Sequence, residues 1–202
     1  MKIYLIRHGK TEANEKHLYC GSTDLPLSEQ GRQELLVGKS NPQCLNNGIN
    51  EKTKVLSEQS IKNTRFITSG MRRTNETLKI LFGDVPFEID ERFREIDFGI
   101  FEMKSYEELK NRPEYQKWLE GDNEANVPPN GESGAQMQKR VLEALEDVIK
   151  SGQDTVIVSH GGVIAAIMQS LFQSEKKHRY EWQPEFGHGY VVELAENSYE
   201  RI

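Results

Sequence analysis

Cysteine is scarce in this sequence of 202 residues, which contains only Cys20 and Cys44. The two lie far apart and have no histidine at metal-ligand spacing, so we predict neither a disulfide framework nor a zinc site. Long apolar runs are also missing. The first, Ile3 to Ile6, ends directly at Arg7 and is far too short for a signal-peptide core or a membrane span. We therefore expect a cytoplasmic chain with free thiols and no membrane association.

An excess of positive charge is absent as well. The chain has 26 Lys plus Arg against 32 Asp plus Glu, a formal net charge of -6, so its surface should repel nucleic acid and anionic lipid. An anionic ligand would need a local basic pocket. We find no internal repeat and no low-complexity tract. The length and the balance of 36% hydrophobic and 29% charged residues are typical of one folded α/β domain. They do not indicate how many copies of the chain assemble.

Short apolar runs followed by helical patterns recur along the chain. Two such runs, at Ile3 to Ile6 and Thr155 to Val158, indicate buried strands. Arg65 to Thr68 indicates a further strand that leads into a helix. Strands alternating with helices predict an α/β fold, a three-layer α/β/α sandwich with a mainly parallel central sheet, in one domain over residues 1–202. Two segments depart from this rhythm. Residues 40–63 read as a polar surface excursion, and residues 100–130 as a small helical cap insertion in which aromatic side chains pack.

Two histidines follow predicted strands in the same way. Arg7, His8 and Gly9 end the first strand, and the sequence SHGG at 159–162 ends another strand where a helix begins. Ligands of open α/β sheets bind at the carboxyl ends of the strands, and N-H groups at a helix start favour bound phosphate. The sequence therefore predicts that His8 and His160 face one anion-binding crevice, beside Arg7 and Gly161.

Two further segments supply charge. SGMRRTNET at 69–77 follows the strand Arg65 to Thr68 and places Arg72 and Arg73 in the first turn of a helix, where the dipole disfavours cations. Such placement suggests an anionic ligand, although Arg72 could equally be a solvated surface residue. REIDFG at 94–99 supplies Glu95, a candidate proton donor if partly buried.

These segments together resemble the histidine phosphatase superfamily, also called phosphoglycerate-mutase-like. The family's opening pattern R-H-G-x-T-x-x-N is matched at 7–14, and G-x-T-D-x-P-L-S at 21–28. Its S-P-L-x-R-A-x-x-T motif is matched at 69–77, with departures at Gly70, Met71 and Thr74. The acidic motif is matched at 95–103, with Phe101 and Met103 replacing Trp and Gly. S-H-G-G is intact and PNGES at 129–133 resembles P-x-G-E-S. The branch it resembles most is that of bacterial α-ribazole phosphatases and broad-specificity phosphatases.

The resemblance implies a role for each motif residue. His8 would be the nucleophile, Arg7 and Arg73 would hold the phosphoryl oxygens, His160 would stabilise the transition state and Glu95 would act as acid and base. Substrate contacts are implied for Asn14, Gly21, Thr23 and Gly161. Alternatives stay open: Asp97 or Glu102 could be the acid in place of Glu95, and Asn14 and Thr23 could instead cap turns.

We expect a phosphomonoesterase that needs no cofactor or metal and acts on a small-molecule phosphate monoester, with α-ribazole 5'-phosphate as one candidate substrate. A phosphoglycerate-mutase-type phosphoryl transferase is the first alternative, because it uses the same groups. The cap is short for the covering that keeps water out of a mutase, which favours hydrolysis. The second alternative is a phospholigand-binding protein without turnover, which would have no need of a proton donor at Glu95.

Overall fold

A six-stranded sheet forms the centre of the protein. A computed structural model describes residues 1–40, 58–121 and 124–202. The strands are β1 (Lys2–Arg7), β2 (Arg65–Thr68), β3 (Glu88–Ile89), β4 (Thr155–Ser159), β5 (Gly189–Glu193) and β6 (Ser198–Arg201). In the order β3-β2-β4-β1-β5-β6, the first four strands are parallel, and β5 pairs antiparallel with both β1 and β6. The predicted α/β fold with a mainly parallel sheet is confirmed.

Helices flank the sheet and begin where the sequence supplies capping side chains. They are α1 (Glu12–Glu15), α2 (Glu29–Ser40), α3 (Glu58–Asn63), α4 (Arg72–Phe82), α5 (Tyr106–Leu109), α6 (Pro113–Leu119), α7 (Gly134–Ser151) and α8 (Gly161–Leu171). The Ser28 hydroxyl accepts the Gly31 N-H at 3.0 Å at the start of α2, and Ser133 caps α7 in the same manner. Gly152, at φ 67°, ends α7 in the left-handed conformation.

The sheet is covered on both faces, which explains its continuous apolar runs. Ile3 and Leu5 of β1 pack on the side of α7 and α8, whereas Tyr4 and Ile6 pack on the side of α2 and α4. All four side chains are buried. Full burial of such a side chain stabilises the fold by about 1.5–3 kcal/mol. The three-layer arrangement follows from this two-sided burial.

The segment 101–130, here called the cap segment, lies between β3 and α7 in the chain and contains α5 and α6. Tyr115 and Trp118 pack with Phe101 and with Tyr19 from the loop after α1, and the hydroxyls of Tyr19 and Tyr115 are 2.5 Å apart. The expected packing role of these aromatic side chains is observed. That the cap segment is an insertion in one domain over 1–202 stays a prediction.

Two expectations fall mainly outside the described residues. The surface excursion at 40–63 is described only at Ser40 and from 58 onward, where α3 lies, and Cys44 is not described. Cys20 is a free thiol, as expected. Of the helices that are described, none combines the length and the apolar character needed to cross a membrane.

Candidate active site

The carboxyl ends of β1 and β4 place two histidines side by side. Arg7 is opposite Ser159 in the parallel register, and the His8 N-H donates to the Ser159 carbonyl at 2.9 Å. The next residues, His8 and His160, therefore meet just beyond the sheet edge. Their ring centroids are 5.1 Å apart at an interplanar angle of 67°, and both residues are buried. The sequence-based expectation that the two rings share one crevice matches this geometry.

The hydrogen bonds of His8 define its tautomer. Its Nδ1 lies 2.6 Å from the carbonyl oxygen of Gly9. Because that oxygen can only accept, Nδ1 carries the proton and Nε2 keeps its lone pair. Thr77 holds the same loop, since its hydroxyl oxygen accepts the Gly9 N-H at 3.0 Å. Burial, followed by the Arg73 charge, lowers the pKa of His8 well below its usual value. His8 is thus a neutral imidazole with a free Nε2.

A chain of hydroxyl groups fixes the tautomer of His160. The Thr74 hydroxyl donates its one proton to the Met71 carbonyl at 2.7 Å. Thr74 must therefore accept from the Ser69 hydroxyl, which lies 3.1 Å away. Ser69 then accepts from Nε2-H of His160 at 2.9 Å. The remaining nitrogen, Nδ1, accepts a long hydrogen bond of 3.4 Å from Nε of Arg73. Burial and the Arg73 charge lower the pKa of His160 well below its usual value, so this ring is neutral too.

Arg7 has an unused donor in the crevice. Its Nη1 donates to the Pro184 carbonyl at 2.8 Å, and its guanidinium carbon lies 3.8 Å from the centre of the Phe186 ring. Its Nε is buried and finds no partner among the described residues. A buried N-H without a partner is rare and marks a place for a ligand. Gly161 leaves room for this group, because a Cβ there would lie 3.1 Å from the guanidinium carbon.

Arg73 lies inside the site, whereas Arg72 is exposed. Arg73 is only 1% exposed, and its Nη1 and Nη2 donate to the carbonyls of Thr23 and Gly21 at 2.8 and 2.7 Å. With the bond to His160, these contacts use three of its five N-H donors, and two remain for an anion. This geometry supports Arg73, which the resemblance implies, rather than Arg72 as the anion-binding arginine.

Glu102 braces the loop that holds Arg73. Its carboxylate accepts hydrogen bonds from the backbone N-H groups of Gly21, Ser22, Thr23 and Phe98, and from the Thr23 hydroxyl. These donors engage both oxygens of Glu102, which favours a supporting role for this carboxylate over the acid role. Asp97, the other alternative, accepts from Ser22 and Gly99 in neighbouring turns.

Glu95 lies at the first turn of α8, next to the crevice. Its Oε2 accepts the Gly162 N-H at 2.9 Å, and its Oε1 accepts the Ile96 N-H at 3.0 Å. A Cβ at Gly162 would lie 2.4 Å from Oε1, so only glycine leaves room for the carboxylate. Arg140 of α7 fixes the backbone of this loop, since it donates to the Arg94 and Glu95 carbonyls at 2.7 and 3.1 Å.

The expected substrate contacts Asn14 and Thr23 already have partners. Asn14 Oδ1 accepts from the N-H and the hydroxyl of Thr11, both at 2.9 Å, while its side-chain nitrogen donates to no described residue. The Thr23 hydroxyl donates to Glu102 at 2.7 Å. Asn14 can thus still donate to an anion, but Thr23 would have to leave Glu102 to do so. Among the described residues, no three His, Cys, Asp or Glu side chains are grouped to hold a metal.

Sequence reasoning missed four supporting residues. Ser69 orients His160, Thr77 holds the loop after His8, Glu102 braces the Arg73 loop and Arg140 fixes the Glu95 loop. Ser69 and Thr77 are the first and last residues of the motif at 69–77, which was a usable signal. The sequence suggests Glu102 only as an acid. Arg140 carries no signal, since the Arg94 and Glu95 carbonyls that it contacts lie more than forty residues earlier in the chain.

The chain is similar in sequence to known proteins over nearly its whole length. The family model described as the histidine phosphatase superfamily (branch 1) matches residues 3–37 and 48–200. Among curated proteins, the chain is 27% identical over 214 residues to "Probable phosphoglycerate mutase GpmB" of Enterobacter sp. (strain 638), covering 96% of this chain and 92% of that protein.

Solved structures with the same fold cover nearly the whole chain. The alpha-ribazole phosphatase from Shigella flexneri matches with a TM-score of 0.79 at 23% identity, covering 98% of this chain and 93% of that one. Bacillus stearothermophilus YhfR matches with a TM-score of 0.74 at 25% identity, covering 98% and 94%.

Proposed function

Because the chain belongs to the histidine phosphatase superfamily, we propose that it is a phosphomonoesterase, which hydrolyses small phosphate monoesters through a phosphohistidine on His8. The observation that carries this proposal is the buried, neutral His8, whose Nε2 lone pair is free beside the charges of Arg7 and Arg73. A neutral nucleophile is not repelled by the phosphate dianion, as a carboxylate would be.

The proposed first step forms the phosphohistidine. The Nε2 lone pair of His8 attacks phosphorus while the ester P-O bond breaks, and Glu95 in its protonated form donates its proton to the departing oxygen. Negative charge on the equatorial oxygens would be stabilised by the unpaired Nε-H of Arg7, by the two remaining N-H donors of Arg73 and by the Gly161 N-H at the start of α8. His160, which accepts from Arg73, would keep that guanidinium oriented.

The proposed second step releases phosphate. A water molecule attacks phosphorus and gives its proton to the Glu95 carboxylate, the P-N bond breaks, and His8 regains its lone pair. Glu95 is then protonated and ready for the next ester. The same carboxyl group therefore serves as acid and base, and the cycle consumes one water for each ester.

The test is phosphate release from p-nitrophenyl phosphate in the presence of EDTA. We expect turnover by the wild type and at least a roughly thousandfold loss in His8→Ala, because the nucleophile is removed. His17→Asn is the matched control. His17 is exposed, and asparagine tolerates its positive φ of 53°, so activity should be retained. Equal activity in His8→Ala and the wild type would refute the proposal.

Phosphoryl transfer between the two phosphoglycerates is the second candidate, favoured by the name of the relative from Enterobacter. Its test is incubation with 3-phosphoglycerate: a mutase forms 2-phosphoglycerate with little inorganic phosphate, whereas a phosphatase releases phosphate. The two short helices of the cap segment favour hydrolysis, since a mutase must keep water out. A non-catalytic phospholigand-binding role would be revived only if wild type and Glu95→Gln bound phosphate esters equally and neither turned over.

The natural substrate can be identified by measuring kcat/KM for a panel of phosphate monoesters and ranking them by that value. The panel should include α-ribazole 5'-phosphate, because the similar structure from Shigella flexneri is that of an alpha-ribazole phosphatase.

A further inference from the structure

A third arginine, Arg179, lies beside the candidate acid and has no part in the mechanism above. It begins the 3-10 turn Arg179–Trp182. The residues that follow supply the carbonyl of Pro184 and the ring of Phe186 to Arg7, so this stretch of chain borders the crevice. The Arg179 side chain is 17% exposed, and most of it is therefore enclosed at the edge of the site.

Two glycines make room for the Arg179 guanidinium. A Cβ at Gly162 would lie 3.2 Å from its Nη2 and 2.4 Å from Oε1 of Glu95, and a Cβ at Gly134 would lie 3.1 Å from its Nη1. Gly134 and Gly162 belong to the first turns of α7 and α8. The cation therefore lies between two helix N-termini, where the dipoles disfavour positive charge. An arginine held at this place needs an anionic partner to offset its charge.

The anion that Arg179 contacts in this structure is the carboxylate of Glu124, in the cap segment. The ion pair is formed by Nη1, and the Glu124 side chain is 47% exposed. Nε and Nη2 of Arg179 donate to none of the described residues. Glu95 is close to the same guanidinium but directs its two oxygens to backbone N-H groups. Arg179 thus offers unused donors next to Glu95, and its partner among the described residues is partly exposed to solvent.

We propose that Arg179 is a specificity-determining residue, which selects phosphate monoesters whose leaving group carries a second anionic group. The inference rests on the proposed function, in which Glu95 protonates the departing oxygen. The leaving group then lies beside Glu95 and hence beside Arg179. Glu124 pairs with the guanidinium until the second anionic group of the substrate replaces it, so Glu124 and that group compete for one site.

The experiment compares two esters that differ in one carboxylate, O-phosphoserine and O-phosphoethanolamine. For each variant, kcat/KM is measured for both esters by release of inorganic phosphate, and the ratio of phosphoserine to phosphoethanolamine is taken. A loss of activity that affects both esters equally cancels in this ratio. Because hydrogen bonds to charged groups are strong, Arg179→Gln should lower the ratio by about tenfold, and Arg179→Lys by less. Glu124→Gln should raise the ratio, since the competing charge is gone.

Arg65→Gln is the matched control. Arg65 pairs with Glu88 and begins β2, at the end of the strand away from the crevice, so the substitution should leave the ratio unchanged. A ratio in Arg179→Gln within twofold of the wild type, or a ratio in Glu124→Gln that does not rise, would overturn the inference. Propane-1,3-diol bisphosphate against its monophosphate tests whether a second phosphate is selected like a carboxylate.

Calorimetric Kd values of O-phosphoserine and O-phosphoethanolamine measure the discrimination in binding alone, without turnover. A protein that discriminates between them through Arg179 but hydrolyses neither would refute the proposed function alone. A protein that hydrolyses both without discrimination would refute the role of Arg179 alone.

Discussion

Replacing Glu102 with glutamine should lower both stability and activity, because this carboxylate organises the loop that holds Arg73. Oε2 alone accepts from Gly21 N-H at 3.1 Å, Thr23 N-H at 3.2 Å and the Thr23 hydroxyl at 2.7 Å. Glutamine has nearly the same size, but an NH2 group replaces one of the acceptor oxygens. That group would face N-H donors and cannot accept from them.

The size of the effect follows from the bonds lost. A hydrogen bond to a charged group contributes about 1.5–3 kcal/mol, and a donor left without a partner adds to the loss. Because Glu102 is half-buried, we expect the free energy of unfolding of Glu102→Gln to fall by about 2–4 kcal/mol. The carbonyls of Gly21 and Thr23 orient Arg73, so kcat/KM should fall by about a hundredfold.

Urea denaturation and p-nitrophenyl phosphate kinetics measure the two effects. The matched control is Glu12→Gln, since Glu12 is a highly exposed residue of α1 whose one ionic partner in the described part of the chain is Lys16, one helical turn away. We expect little change there, because exposed pairs contribute about 0–1 kcal/mol. If Glu102→Gln stays within twofold of wild-type activity and within about 0.5 kcal/mol of its stability, the bracing role is wrong.

Three other outcomes are expected. Burial and Arg73 lower the pKa of His8 and His160, so the unfolded chain binds more protons than the folded one below pH 6.5. Stability should therefore fall by about 1 kcal/mol for each histidine between pH 6.5 and 5.5, and by at most about 1.4 kcal/mol per pH unit at lower pH. In urea titrations between pH 6.5 and 5.5, His160→Gln should show a clearly smaller slope than the wild type; an equal slope would contradict this account. Arg140→Gln should lower kcat more than it raises KM, because it loosens the Glu95 loop, and a change in KM alone would argue against that role. Ser69→Ala should lower kcat/KM about tenfold by releasing the His160 ring, and unchanged kinetics would show that the tautomer is fixed in another way.

The parts of the fold that the sequence predicted are those with a strong local signal. β1 and β4 contain continuous apolar runs because both faces of the sheet are covered. These two strands and β2 each lie within a residue or two of their expected bounds. β3 was missed because it has two residues, both exposed, and so carries no apolar pattern. β6 was missed for a similar reason, since its side chains are mostly exposed.

The residues of the candidate site likewise include some that a local sequence signal predicts and some that it does not. His8 and His160 were predictable because they follow buried strands whose register then places them together. Glu102 and Arg140 were not, because their roles depend on partners 81 and 45 residues away in the chain. Which N-H group a carboxylate meets is decided by tertiary packing, and no spacing in the sequence encodes it.

In the proposed mechanism, His8 becomes phosphorylated during turnover. To detect this intermediate, the enzyme is mixed with excess p-nitrophenyl phosphate and quenched in alkali within the first turnovers, and the phosphoryl group is located by peptide mass spectrometry. We expect a base-stable, acid-labile phosphoryl group on Nε2 of His8, which forms and decays at least as fast as kcat. Full turnover with no phosphoryl group on His8, or with one on another residue, would contradict it.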